Sequence, residues 1–319
     1  AAGLAIEQLA GLGSKGVITR TDRFLIVSDA DHQWTQNKAA MLQRAAHQFG
    51  RFADRIGFQL TPTEEPLVCV FINDHERYTR FAQRHDGVEA GWVAGYYASL
   101  SNRIVFYNDE TGPMVEAAGE RLKEYDALVS QAKAMAADAR QERRNEVAAT
   151  LEKRAADLTS RVRTERERVA ATTRVNAQAK AVHEAVHLLA FNWGLQARDR
   201  QYPFWLTEGL ATNFETERPS NAFGPDHDFE PRRRDFEAIK RDGRLLPLET
   251  LVQMLNVPGD DGPTADVMYA QSWSLFRYLF RYEKAALGEF FRDFLREPPG
   301  RLGAKRQLEL FRARFGDIA

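Results

Sequence analysis

The segment at residues 181–187 predicts the fold of this 319-residue chain most strongly; it reads Ala181-Val182-His183-Glu184-Ala185-Val186-His187. On a helix, His183 and His187 stand four residues apart and project to the same side. Two neutral imidazoles at that spacing can bind one Zn²⁺ at about 2.0–2.1 Å each. Glu184 would lie beside the open side of the ion, where a carboxylate can take the proton of a water whose pKa the metal lowers to about 7. The segment therefore predicts a zinc site with Glu184 as general base.

The neighbouring residues predict that this helix is buried, because they are apolar: Val182, Val186, Leu188, Leu189 and Phe191. Burying three ionisable side chains on such a helix is costly unless a partner compensates for the loss of water. A bound metal supplies that compensation. The alternative is that the two histidines only satisfy hydrogen bonds within the core.

A second apolar segment supplies a candidate third ligand. Glu208 follows the turn at residues 201–203 and lies within Trp205-Leu206-Thr207-Glu208-Gly209-Leu210-Ala211. A lone carboxylate on an apolar helix is unusual, so we expect Glu208 to bind the metal. Gly209 leaves room for another helix to approach closely. Glu215 either orients a ligand imidazole through its free N–H or is a solvated helix carboxylate.

The first region of the chain, up to residue 112, predicts a mixed α/β layer. Short β-rich runs alternate with amphipathic helical spacing, and two later runs flank Ser101-Asn102 as in a β-hairpin. The predicted elements are strands at 24–27 and 67–72, helices over 33–57 and 76–84, and a hairpin of 91–97 with 103–107.

The second region has neither Gly nor Pro between residues 120 and 193. Two heptad-like patterns occur there, formed by Leu122, Tyr125, Val129, Ala132, Ala136 and Ala139 and then by Ala148, Leu151, Ala155, Leu158, Val162 and Val169. The pattern fails at 141–146, which favours a coiled-coil-like helical hairpin over one helix of about 100 Å with an exposed apolar stripe. Its mixed charges predict a solvated face; a docking arm for a protein partner is the alternative.

The third region predicts helices separated by loops rich in Gly, Pro and Asp, with one helix over 269–282. The chain therefore divides into an N-terminal mixed α/β subdomain at 1–112, an inserted helical hairpin at 113–178, and a helical zinc-binding subdomain at 179–319. The expected fold class is α+β.

Composition narrows the classes of function. With 44 basic and 45 acidic residues, the net charge of −1 argues against nucleic-acid binding. No apolar run approaches the roughly 18 residues that a membrane span needs. The single cysteine, Cys69, excludes an intrachain disulfide. The chain begins at Ala1 rather than Met, so either a leader was removed, as in a periplasmic or secreted protein, or the sequence was trimmed; one cysteine fits the cytosol as well.

These motifs resemble those of the gluzincin superfamily of metallopeptidases, in which H-E-x-x-H is followed by a Glu on the next helix. Residues 183–192 and 205–211 look especially like an uncharacterised bacterial branch of peptidase-MA-like domains, and Tyr269-Ala270-Gln271-Ser272-Trp273 is similar to a third block of that branch. The resemblance covers roughly residues 20–112 and 179–290. It implies a zincin-like fold, with the helical hairpin as an insertion before the active helix.

The resemblance also implies roles for residues. His183, His187 and Glu208 would bind Zn²⁺, and Glu184 would be the general base. Related gluzincins use a Tyr or a His to stabilise the oxyanion, and the resemblance implies that Tyr269 is this donor; the alternative is a plain core or helix-start aromatic. His227 is another candidate donor, or else an exposed loop histidine.

Two further features bear on the substrate. The hairpin between residues 92 and 107 is a candidate edge strand for an extended substrate. The run Arg232-Arg233-Arg234 either binds a substrate carboxylate or forms a solvated basic turn. The chain lacks a clear Gly-x-Met-Glu-Asn block that would hold a free amino terminus, so an endopeptidase or an enzyme of narrow specificity is favoured over an aminopeptidase.

The sequence thus predicts a zinc-dependent peptide-bond hydrolase acting on a peptide or protein substrate. The competing hypothesis is an inert zincin-fold scaffold or binding protein that acts through its helical arm. An intact Glu184 argues against the second hypothesis, since a purely structural site needs only ligands.

Overall fold

The computed structural model describes residues 11–12, 16–91, 93–258 and 262–317. Trp92, within the predicted hairpin, and the two ends of the chain, Ala1 and Ala319, lie outside the described residues. No described helix is both long enough and apolar enough to cross a bilayer.

A five-stranded mixed sheet forms one layer of the fold. Its strands are β1 (Val17–Arg20), β2 (Phe24–Ser28), β3 (Leu67–Ile72), β4 (Gly95–Ala98) and β5 (Arg103–Tyr107). They lie in the order β1-β2-β3-β5-β4. β2, β3 and β5 are parallel, while β1 and β4 pair antiparallel with β2 and β5. β4 is therefore an edge strand.

Helices make up most of the remaining structure. They are α1 (His32–Arg55), α2 (His75–Phe81), α3 (Pro113–Gln141), α4 (Asn145–Asn192), α5 (Phe204–Thr212), α6 (Glu230–Arg241), α7 (Leu248–Gln253), α8 (Gly262–Tyr282), α9 (Lys284–Arg296) and α10 (Ala304–Phe315). Two short strands, β6 (Arg200–Gln201) and β7 (Gly300–Arg301), pair in parallel.

Two adjacent inner strands of the sheet, β2 and β3, are buried along their whole length. Such continuous apolar runs are typical of parallel strands that are covered on both faces. Alternate residues point to opposite faces, so Phe24 and Cys69 join the large core with α1 and α4, whereas Leu25 and Val68 pack with α2.

The predicted elements of the first region are largely confirmed. α1 begins where the Asp31 side chain caps the backbone N–H of Trp34 at 2.9 Å, and it ends at Arg55. The predicted helix over 76–84 is divided, because α2 ends at Phe81 and a π-helical turn follows over Ala82–Asp86. The first strand of the predicted hairpin is shorter than expected and begins only at Gly95.

The second region forms a helical hairpin of α3 and α4, which we call the helical arm where it spans 113–178. The chain reverses beyond Gln141, and Arg143 takes a left-handed conformation (φ 59°) there. Val129, Ala136 and Ala148 are buried in the seam between the helices, but Tyr125 is 49% exposed and was wrongly assigned to the seam. α4 continues without a break into the H-E-x-x-H segment, so the predicted boundary at 178 falls inside one helix.

The third region packs α5 against α8. A side chain at Gly209 would place its Cβ 2.7 Å from the backbone oxygen of Ser272 and 3.0 Å from Cβ of Phe276. The expectation that Gly209 permits close helix approach is confirmed. This contact fixes α5, which carries Glu208, against the helix that carries Tyr269.

Candidate metal centre

Two neighbouring helices bring His183, His187 and Glu208 together. The histidines lie on α4, and Glu208 lies near the middle of the short helix α5. One carboxylate oxygen of Glu208 is 3.0 Å from Nε2 of His183, and the other is 3.4 Å from Nε2 of His187. One ligand atom from each residue lies within 4.8 Å of the others, so the group is capable of holding a metal ion.

Glu215 contacts the His183 imidazole at the nitrogen that does not face Glu208. Its Oε1 lies 3.0 Å from Nδ1 of His183. Both its oxygens accept hydrogen bonds from Arg232, at 2.7 and 2.8 Å. Glu215 is buried and so is not a solvated helix carboxylate, and its contact with Nδ1 is of the kind that can orient an imidazole. Glu215 makes this contact from beyond the end of α5, which terminates at Thr212.

The charges in this cluster stabilise one another. Burial alone would raise the pKa of Glu208, but the two imidazoles hold that pKa well below its ordinary value. Burial also opposes the ionisation of Glu215, yet hydrogen bonds from Arg232 and His183 lower its pKa to about 2. Both carboxylates are therefore ionised near neutral pH and able to face a cation.

Glu184 has different partners from the three candidate ligands. Lys180, one turn earlier on α4, places Nζ 2.6 Å from Oε1 of Glu184. The backbone N–H of Tyr97 in β4 donates to Oε2 at 2.7 Å. Burial would raise the pKa of Glu184, but Lys180 and the imidazoles lower it overall, so the carboxylate is charged.

Tyr269 on α8 lies beside this cluster. The Glu208 charge, followed by burial and the Glu184 charge, raises the pKa of its hydroxyl, which keeps that group protonated. Its ring packs edge-on against Phe204, with centroids 5.0 Å apart, and the Arg232 guanidinium lies 5.6 Å from the ring centroid.

The other candidates from the sequence lie elsewhere or have other contacts. His227 lines a surface pocket with Arg51 and Arg55, and that pocket shares no lining residue with the pocket that Glu208 lines or with the one that Glu215 lines. The arginine run opens α6, and its second and third members, Arg233 and Arg234, make exposed ion pairs on that helix. Only Arg232 reaches the cluster, through Glu215.

Two pockets flank the candidate centre. One, of about 480 Å³, is lined by Val93 and Ala94, by Lys180 and Arg232, and by residues at the base of the helical arm. The other, of about 380 Å³, is lined by Ser99 at the far end of β4 and by Glu208. The two pockets therefore lie at opposite ends of the edge strand β4.

The residues present fit a divalent transition metal. Two imidazoles and one carboxylate form a donor set that zinc accepts at open, catalytic sites. Glu215 engages Nδ1 of His183 and leaves Nε2 facing Glu208, as the orientation of a metal-binding histidine requires.

Sequence reasoning missed two partners of Glu184. Lys180 carried a usable signal, because it stands four residues before Glu184 on the same helix. The contact with the Tyr97 N–H has no sequence signal, because almost every residue type supplies the same backbone donor.

Comparison with known proteins yields one match. Residues 177–300 match a family model described as "Protein of unknown function (DUF1570)". The matched segment begins just before the H-E-x-x-H segment and extends through α8 and α9. No curated protein and no solved structure matches the chain.

Proposed function

We propose that this protein is a gluzincin-like zinc metallopeptidase with a zincin-like fold and an inserted helical arm. One observation carries the proposal. Nε2 of His183 and of His187 both face the Glu208 carboxylate, while Glu184 on the same helix is held apart from them by Lys180 and Tyr97. A structural metal site would require ligands but no additional carboxylate beside them.

His183, His187 and Glu208 would hold the zinc. When bound, zinc supplies Lewis acidity towards a carbonyl and lowers the pKa of a water molecule to about 7. The described cluster offers three ligating residues, which leaves a position for water and substrate.

Glu184 would take a proton from the attacking water and return it to the leaving amine. The hydrogen bond from Tyr97 and the ion pair with Lys180 fix the carboxylate in one orientation and keep it ionised. The protonated hydroxyl of Tyr269 would donate to the oxygen that gains negative charge in the transition state.

The edge strand β4 would align the substrate. Tyr97 directs its N–H away from β5 and towards Glu184, so the same edge of β4 faces the candidate centre. An extended peptide lying antiparallel to β4 would have its amino end near Ser99 and its carboxyl end near Val93. The scissile bond would then lie between the two pockets.

The decisive experiment compares the wild-type protein with Glu184→Gln. We expect peptide cleavage to fall by about 10²- to 10⁴-fold or more, because the general base is lost. Zinc content, measured by mass spectrometry of the metal, should remain unchanged, because Glu184 is not a ligand. The matched control is Glu152→Gln on the exposed part of α4, which should keep full activity.

Two outcomes would contradict the proposal. One is that zinc-loaded wild type and Glu184→Gln are equally inert towards a broad peptide library, which would favour a scaffold acting through its helical arm. The other is a purified wild-type protein that binds no zinc at micromolar concentration.

A further inference from the structure

The pocket beside Ser99 has an unusual combination of side chains. Its wall includes three aromatic rings, those of Phe191, Tyr202 and Phe204, and it adjoins Glu208 of the candidate centre. Two arginines, Arg198 and Arg200, also line it. Glu208 is the one carboxylate among the described residues of this wall, and it faces the two histidines.

Arg198 brings to this pocket a positive charge that pairs with no carboxylate among the residues the structure describes. Its Nη2 donates to the backbone oxygens of Ser99, at 3.0 Å, and Leu100, at 3.4 Å. These carbonyls position the guanidinium at the tip of the β4–β5 hairpin but do not cancel its charge. An arginine has five N–H donors, so donors remain for a ligand carboxylate.

Arg200 is held more rigidly. Its Nη1 donates to the backbone oxygen of Phe294 at 2.7 Å, and its side chain is 16% exposed. Among the described residues, the acid that pairs with it is Asp199, whose carboxylate lies 3.4 Å from Nε and is 57% exposed to water. Water screens the exposed Asp199, so this pair offsets the Arg200 charge only in part.

The pocket on the other side of the candidate centre has a different balance of positive and negative charges. Its cations, Lys180 and Arg232, are already paired with Glu184 and Glu215, and Asp235 adds a further carboxylate. Of the two pockets, the one beside Ser99 therefore carries the excess of positive charge.

We infer that the pocket formed by Arg198, Arg200 and the aromatic wall binds an acidic side chain of the substrate, on the amino-terminal side of the cleaved bond. This inference rests on the proposed function, which sets the direction of the peptide along β4. A glutamate suits the site because its methylenes can contact the rings while its carboxylate meets the guanidinium groups. The same charges repel a free α-ammonium group, which disfavours cleavage next to a free amino terminus.

The test measures binding separately from catalysis. Zinc-loaded Glu184→Gln is titrated into two fluorescent decapeptides that are acetylated and amidated, one with three consecutive glutamates and one with three glutamines. We expect the glutamate peptide to bind about 10-fold more tightly, with a preference that weakens in high salt. When Arg198→Gln and Arg200→Gln are introduced together into the Glu184→Gln protein, the preference for the glutamate peptide should be lost. Introducing Arg241→Gln instead, at an exposed position, should leave that preference intact.

A second readout is digestion of a peptide library by the wild type, which should enrich Glu before the cleaved bond. Arg198→Gln alone, which spares the Arg200 contact with the core, should reduce the enrichment. Cleavage without an acidic preference would overturn this inference and leave the peptidase intact. If binding of the glutamate peptide depends on the two arginines but no peptide is cleaved, the acidic-side-chain pocket is supported and the proposed peptidase function is wrong. Equal binding of both peptides by the Glu184→Gln protein overturns the inference whatever the variants do.

Discussion

The two ends of α4 show how one helix serves two physical purposes. In the helical arm, only one side of the helix is buried, at positions such as Ala148, Ala155 and Val162. From Ala181 to Ala190 every residue is buried, including His183 and His187. Within the arm, α4 packs along α3, whereas the inner end of α4 shares a core with the sheet, α1 and α5.

The charges at the two ends differ in the same way. Ion pairs of the arm, such as Arg140 with Glu152, join side chains that are about half or more exposed, and such pairs contribute about 0–1 kcal/mol. Beside the inner end, Glu215 and Arg232, which lie on neighbouring segments, are largely withdrawn from water. Removing one member of a buried pair costs far more, because the other charge is left without a partner.

The largest effect is expected from Glu215→Gln. This change leaves Arg232 without its carboxylate partner and weakens the contact with Nδ1 of His183. We expect a loss of about 3 kcal/mol in the free energy of unfolding and a 10- to 100-fold weaker affinity for zinc. Urea denaturation of the metal-free protein and competition with a zinc chelator measure the two effects separately.

The control for Glu215→Gln lies on the neighbouring helix. Glu230 pairs with Arg234 on α6, where both side chains are at least half exposed. Glu230→Gln should change stability by less than about 0.5 kcal/mol and zinc affinity not at all. If the two variants behave alike, the difference drawn between exposed and buried pairs is wrong.

A smaller effect on stability is expected when each of two helical glycines is separately replaced by alanine. Gly209→Ala forces a Cβ against the Ser272 backbone, so we expect a loss of about 1–3 kcal/mol and a reduced zinc affinity as α5 shifts. Gly119→Ala lies in the arm with open space around it and should stabilise the protein by up to about 1 kcal/mol. Thermal unfolding compares them directly; equal shifts would show that α5 can move away from α8 without cost.

The local parts of this structure could be predicted from the sequence. The runs at 24–27 and 67–72 form strands, and the break in apolar spacing at 141–146 coincides with the reversal of the arm. Among site residues, the spacing of His183 and His187 and the isolation of Glu208 in an apolar segment pointed to residues that the structure brings together.

What could not be predicted depends on contacts between distant segments. Tyr125 fits the heptad spacing, yet its bulk leaves it half exposed where the seam is otherwise filled mainly by alanine and valine. Arg232 appeared as part of a basic run, and only the folded chain separates it from Arg233 and Arg234 by turning it towards Glu215. The partnership between Tyr97 and Glu184 joins residues far apart in sequence through a backbone group.

The smallest effect on the metal centre is expected from removing most of the arm. Leu122 and Val169 line the same groove near the base, so residues 122–169 can be replaced by a short Gly-Ser linker. The inner end of α4 keeps its own core contacts, and we therefore expect zinc affinity to stay within about twofold of wild type, because distant sites act independently. Isothermal titration of zinc into the metal-free protein measures this.

A point variant separates loss of the arm from disturbance at its base. Asp126→Ala removes the exposed ion pair with Arg166 but keeps both helices, and it should alter unfolding by less than about 0.5 kcal/mol. If the deletion abolishes zinc binding while Asp126→Ala has no effect, the helical arm is needed to hold His183 and His187 in place. The two ends of α4 would then form one cooperative unit, and they would differ only in how far their residues are buried.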